Sequence, residues 1–237
     1  MTYLISTLIF AVVGTTQLNI FEIEGIFSNA HVNALEDHIE EYEYTEDDLL
    51  ILQYSSKEGN AESILELNSL LSGYDFPIGV WFGPYKISVD FQQLNNFDYI
   101  GFSPGLEINN VSFDESVEKK YCTINICNFE ERKIIVSSNE GIYDNYLIVG
   151  TLGSFIENID FIISDQSIEF FKPSLFERFY IAISNPIFTY MFFVLGFALI
   201  GLELFAIGPG LMAVVGSLLV ISSTLPFQEF GINYYGI

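Results

Sequence analysis

Residues 185–225 read NPIFTYMFFVLGFALIGLELFAIGPGLMAVVGSLLVISSTL. The step Asn185-Pro186 opens an uncharged apolar run from Ile187 to Leu202. Glu203 interrupts it, Gly208-Pro209-Gly210 punctuates it, and a second apolar run follows from Leu211 to Leu225. Extended to Ile207, the first run is about 20 residues, enough to cross a hydrocarbon core of roughly 30 Å. The second is shorter and rich in Gly and Ser, so it reads as a tight second span or a re-entrant segment. The chain is therefore expected to end in a transmembrane helical hairpin. Within it, Glu203 stands nearly alone as an ionisable group. A carboxylate near the bilayer centre costs about 2.5–3.5 kcal/mol unless it is neutral or paired. Backbone N–H groups freed at the Gly208-Pro209-Gly210 break are the expected partners, which makes Glu203 an anchor of the hairpin.

Upstream of the hairpin, residues 17–180 have the length of one soluble domain. Thirty-one carboxylates face eight basic residues, a formal net charge of −23. That balance excludes nucleic acid, whose phosphates need a basic footprint, and opposes docking on anionic lipid. An apolar run from Tyr3 to Val13 marks residues 1–16 as a signal peptide or an N-terminal anchor. The basic residues Lys172 and Arg178 precede the first span, which by charge alone would leave the soluble domain in the cytoplasm. The apolar N-terminus argues for an extracytoplasmic domain, and that reading is preferred. In an exported domain Cys122 and Cys127 would form a small-loop disulfide. No metal site is expected, because His31 and His38 are the only histidines and read as two exposed polar residues on one helix face.

The soluble part alternates strand-like and helix-like segments. Leu18–Ile23, Leu49–Gln53 and Pro77–Phe82 are compact apolar runs. Between them, Val32, Leu35, Ile39 and Tyr42 recur at helical spacing behind an N-cap at Ser28 or Asn29, and Ile64, Leu67 and Leu71 do the same. Such β-α-β-α-β alternation predicts a parallel sheet with helical crossovers. Residues 107–116 read as a polar loop. Tyr146–Val149 and Phe161–Ile163 read as late strands around a helix at Leu152–Asn158, and Phe176–Ile183 as a helix entering the bilayer.

The membrane segment carries Asn185-Pro186, Gly196, Leu202-Glu203-Leu204, Gly208-Pro209-Gly210, Gly216 and Ile232-Asn233-Tyr234-Tyr235-Gly236 in order. It resembles the NfeD family, membrane-bound proteins whose soluble domain is similar to ClpP-class serine proteases of the crotonase superfold. The resemblance continues upstream through Phe21-Glu22-Ile23-Glu24-Gly25 and Pro77-Ile78-Gly79-Val80-Trp81. It implies a ClpP/crotonase-like ectodomain over residues 17–180 and an NfeD-type membrane region over residues 181–237, truncated relative to the family. It also implies a stomatin- or flotillin-type membrane partner, the lipid bilayer as surroundings, homo-oligomeric assembly and no cofactor.

Active members of that family use a Ser-Lys dyad. A serine needs a neutral base within hydrogen-bond reach, a lysine becomes one only where burial lowers its pKa, and backbone N–H groups must face the developing oxyanion. Aligned on Ser103-Pro104-Gly105, which resembles the family's Ala-Pro-Gly, Ser88 falls at the nucleophile position and Asp98 at a frequent Asp. Lys119 or Lys120 falls near the expected base. Gly59 is what remains of a Thr-Pro-Gly-Gly turn that now reads Ser56-Lys57-Glu58-Gly59. Where the family has Ala-Ser-Ala-Gly, this chain has Ile87-Ser88-Val89-Asp90, with an acid opposing oxyanion formation. Losing one oxyanion donor costs about 10²–10³ in turnover. The resemblance therefore implies a degenerate protease homologue acting as a binding or membrane-organisation scaffold. An active Ser/Lys endopeptidase cleaving apolar segments of the membrane partner is the alternative.

Overall fold

The computed structural model describes residues 17–56, 58–59, 61–84, 86–88, 94, 96–144, 146–159, 167–171, 173–205 and 210–224. The apolar run 3–13, the strand expected at Phe161–Ile163, and Gly208 and Pro209 lie outside them.

Strand β1 (Gln17–Ile23) is followed by a two-residue strand β2 (Ile26–Phe27) and helix α1 (Asn29–Tyr42). The same order repeats in β3 (Leu49–Tyr54), β4 (Glu58–Gly59) and α2 (Ala61–Leu71). It begins again in β5 (Ile78–Phe82) with β6 (Ile87–Ser88), and in β7 (Tyr99–Phe102) with β8 (Glu107–Asn109) and α3 (Glu115–Tyr121). Then come β9 (Ile126–Asn128), β10 (Lys133–Ile135), the hairpin of β11 (Gly141–Tyr143) and β12 (Tyr146–Ile148), α4 (Leu152–Asn158) and β13 (Ser167–Phe170). Helices α5 (Leu175–Ile183), α6 (Pro186–Phe205) and α7 (Leu211–Thr224) complete the described chain.

The long strands form one sheet in the order β11-β12-β7-β5-β3-β1-β13, parallel except at the β11/β12 hairpin. The short strands make a second layer of pairs: β2 with β4, and β6-β8-β10-β9. A parallel sheet made by crossovers is covered on both faces, so its strands are apolar throughout rather than alternating. Leu49 to Leu52 are each fully buried. One face, with Phe21, Leu50, Leu52, Val80 and Ile100, packs under α1, α2 and α3 through Leu35, Leu67 and Val117. The other, with Ile20, Ile51, Trp81 and Leu147, packs against Phe155 of α4.

Two readings of the sequence are corrected here. Residues 107–116 are not a loop throughout. Glu107–Asn109 form β8, and its pairing with β10 joins residues more than 20 positions apart, a contact no local pattern announces. His31 is not exposed. It is 3% accessible, because the chain leaving β1 turns over the start of α1. Its Nδ1 accepts the Ser28 N–H at 3.4 Å, and its Nε2 donates to the Glu24 carbonyl at 3.1 Å. His38 is half-buried against Tyr44, whose hydroxyl lies 3.0 Å from its Nε2.

The disulfide Cys122–Cys127 closes the turn between α3 and β9. Beyond α5, Ile187–Phe205 is a 19-residue helix of mean hydropathy 2.1 with only 11% buried, so it is no core helix of the soluble part. It packs antiparallel to α7 where two glycines meet. A Cβ on Gly196 would lie 2.7 Å from the Gly216 carbonyl oxygen, and one on Gly216 would lie 2.6 Å from that of Gly196. Small residues at this spacing let two membrane helices approach backbone to backbone.

Gly101 is the tightest point of the sheet, since a Cβ there would come within 2.5 Å of Phe155 and 2.9 Å of Trp81. Gly101→Ala should therefore destabilise the soluble part by about 1–3 kcal/mol through overpacking, read as a lower denaturant midpoint by Trp81 fluorescence. Acid should destabilise it as well. Burial lowers the His31 pKa from 6.5 to about 4. Between those values the unfolded chain binds a proton that the folded chain refuses, so stability falls as pH drops through that window, by up to about 3 kcal/mol. His31→Asn should flatten that part of the pH dependence; an unchanged slope in denaturant titrations at pH 7 and pH 4.5 would contradict the assignment.

Candidate active site

Open α/β sheets place their sites beyond the carboxyl ends of parallel strands, and β6 leaves the carboxyl end of β5. Ile87 is fully buried beneath the second layer, opposite Ile108 of β8, while Ser88 pairs in register with Asn109. Beyond β8, residue 133 of β10 is the next position in the same row, since Ile134 pairs with Ile108 and Ile135 with Glu107. Gly59 lies on β4, bridged to Phe27 of β2, and β4 runs beside β6 with Cα atoms within 8 Å. The remnant of the glycine turn and the candidate nucleophile strand are therefore neighbours in the second layer.

The lysines around that row belong to one ion-pair network. Lys86 Nζ lies 2.8 Å and Lys133 Nζ 2.6 Å from the same oxygen of Glu107. Hydrogen bonds from Lys133 and then Lys86 hold the Glu107 carboxyl below its ordinary pKa. One carboxylate thus engages both ammonium groups. Lys133 was missed in the sequence because only the antiparallel return of β10 brings it to this row; its proximity to Glu107 has no local signature.

Lys119 and Lys120 sit in the last turn of α3, where cations complement the helix dipole. Lys119 is exposed. Lys120 lies over the Tyr121 ring at 5.2 Å, and burial lowers its pKa. It lines a cavity of about 370 Å³ with Asp98, Tyr99, Tyr143, Asp144 and Asn158. That cavity lies where β7 and β12 begin, whereas Ser88 lies past the end of β5. Asp98 ties the starts of β5 and β7 together: its carboxylate accepts the Ile78 N–H at 2.9 Å, and its own N–H donates to the Ile78 carbonyl at 2.8 Å.

A continuous row of rings runs along the carboxyl ends of β3, β5 and β7 and reaches Tyr146 at the start of β12. Phe27 meets Tyr54 at 5.7 Å, Tyr54 meets Phe82 at 5.5 Å, Phe82 stacks on Phe102 at 5.4 Å, and Phe102 meets Tyr146 at 5.6 Å. All five rings are buried. In this chain the strand ends beneath the second layer are packed solid with aromatic side chains.

No protein-family description and no curated protein matches the sequence. Solved structures do. The 1510-N membrane protease specific for a stomatin homolog from Pyrococcus horikoshii aligns over 73% of this chain and 100% of its own, with a TM-score of 0.51 at 10% identity. This chain has the fold of that membrane protease. A lysine-to-alanine mutant of the 1510-N membrane-bound stomatin-specific protease, in complex with a substrate peptide, aligns over 69% of this chain and 95% of its own, with a TM-score of 0.48 at 8% identity. The fold is the one that the resemblance to the NfeD family implies. Membrane association agrees with the apolar helix α6 that follows it.

In the hairpin, Glu203 Oε1 accepts the Gly210 N–H at 2.7 Å, and its Oε2 accepts the Met212 N–H at 3.2 Å. These are free donors at the start of α7. Glu203→Leu should leave them unsatisfied in an apolar medium, a cost of several kcal/mol. The expected result is faster amide hydrogen exchange across residues 211–217 in detergent, with exchange in β3 unchanged.

Proposed function

We propose that this chain is a membrane-anchored, NfeD-type homologue of ClpP-like serine proteases that binds rather than cleaves. In this reading residues 17–180 are a crotonase-like ectodomain, residues 181–237 hold it to the bilayer, and residues 1–16 serve export or anchoring. The repeat of long strand, short strand and helix supports the crotonase-like plan. The observation that carries the non-catalytic reading is the pairing of Lys86 and Lys133, the one beside Ser88 and the other in its row, to Glu107. A lysine serving as base would have to be free to reach the serine hydroxyl, and these two are engaged by a carboxylate instead. The buried aromatic row at the strand ends supports the same conclusion, as a substrate would need that space.

The partner proposed is a membrane protein of the stomatin or flotillin type, supported by the fold shared with a protease specific for a stomatin homolog. The Cys122–Cys127 disulfide supports an extracytoplasmic ectodomain, since such bonds persist in oxidising compartments. Apolar side chains on two sheet edges, Ile126 of β9 and Ile168 and Phe170 of β13, support homo-oligomeric assembly.

An active Ser/Lys endopeptidase is the competing reading, and one observation favours it: burial lowers the pKa of Lys120, as a general base requires. Fluorophosphonate labelling of the full chain in detergent, beside Ser88→Ala, separates the two. The scaffold reading expects no labelling of a sample that unfolds cooperatively. Labelling that disappears in Ser88→Ala would overturn it.

A further inference from the structure

At the junction between soluble part and hairpin lies a cavity of about 590 Å³. The end of β1 contributes Glu22 and Glu24 to it, α5 contributes Arg178 and Ile181, the chain after β13 contributes Phe171, and α6 contributes Phe188. Three features fix what could occupy it. The first is position. Phe188 lies in the first turn of the apolar span and is 45% exposed, so the apolar wall of the cavity runs on into the lipid-facing surface of α6. Helix α5 agrees with this level: around Arg178 it presents Leu175, Phe176 and Phe179 outward, at 86%, 78% and 45% exposure. A short helix with such a face, ending in a span, lies at the boundary of water and bilayer.

The second feature is charge of both signs, unmatched among the described residues. Among the described residues the ion pairs are those of Glu107, and neither Arg178 nor the two glutamates of the cavity has an opposite charge within ion-pair distance. The third is crowding. Glu22 and Glu24 both line the cavity, and burial, then the Glu24 charge, pushes the Glu22 carboxyl above its ordinary pKa. Two carboxylates driven together beside a cavity form a seat for an ammonium group, and a guanidinium facing the same space is a seat for a phosphate.

We propose that this cavity binds the headgroup of a zwitterionic aminophospholipid, with its phosphate on Arg178, its ammonium between Glu22 and Glu24, and its acyl chains along Phe188. The dipolar lining selects against an anionic lipid that lacks the amine, because such a headgroup would leave both carboxylates unmatched. The chain's net charge of −23 adds to that discrimination. The proposal rests on α6 being a bilayer span. It is independent of whether Ser88 is reactive, so its failure and that of the scaffold reading are told apart by the labelling experiment.

The test uses the full chain in a non-ionic detergent, with thermal unfolding followed through its one tryptophan, Trp81, buried in β5. Dioleoyl phosphatidylethanolamine should raise the midpoint by about 5 °C, as a ligand bound only by the folded state does, and the phosphatidylglycerol of the same chains by no more than about 1 °C. Arg178→Gln, and separately Glu22→Gln with Glu24→Gln, should each abolish the difference between the two lipids. All three side chains are solvent-exposed, so the lipid-free midpoint should stay within about 2 °C. Equal rises with both lipids, or a rise with the aminophospholipid that survives both sets of substitutions, would overturn the proposal. Soluble glycerophosphoethanolamine should give no rise at matched concentration. A rise equal to that of the lipid would overturn the lipid assignment in favour of a free amine phosphate.

Discussion

A parallel strand in the middle of a sheet has no face to spare for water, and most of this molecule follows from covering both faces of β3, β5 and β7. Helices α1, α2 and α3 cover one side. On the other, Phe155 of α4 covers the sheet over a spot where Gly101 leaves room for it and for Trp81. Each large apolar side chain so buried contributes about 1.5–3 kcal/mol. The close packing is what holds the strand ends in fixed register. Without that register β6, β8 and β10 would have no layer to rest on, because their buried residues Ile87, Ile108 and Ile134 pack into the same core.

The candidate site is built on that second layer, where one carboxylate gathers two lysines. Glu107 faces two lysines at once, one just before β6 and one returned by β10. In a protease with a serine and a lysine, the lysine must spend part of its time neutral. Here Lys86 and Lys133 are ion-paired to Glu107, and the lysine whose pKa burial lowers, Lys120, belongs to a cavity at the other end of β7. The chain has the fold of a membrane protease specific for a stomatin homolog.

The proposed membrane anchor obeys a different constraint, since a bilayer holds no water to satisfy free backbone groups. Glu203 meets it by returning to the N–H groups of Gly210 and Met212, and Gly196 and Gly216 meet it by letting α6 and α7 pack closely. At the upper rim the cavity beside α5 combines an apolar wall with charges of both signs, a combination suited to an amphiphile at the interface.

What could be read from residues alone was whatever is periodic or local. The apolar strands, the helical spacing of Val32, Leu35 and Ile39, the helix at Leu152–Asn158 and the long apolar span each repeat a pattern within a few residues of themselves, and the structure has them. The parallel sheet followed from their alternation. What only the tertiary structure decided was long-range pairing: the strand hidden in the polar run 107–109, the burial of His31 beneath the turn after β1, the meeting of Lys86, Glu107 and Lys133, and the cavity shared by β1, α5 and α6. Each joins segments distant in the chain or turns on which way a polar side chain faces. Hydrophobic periodicity carries information about which face is apolar, and none about which polar groups on the other face will meet.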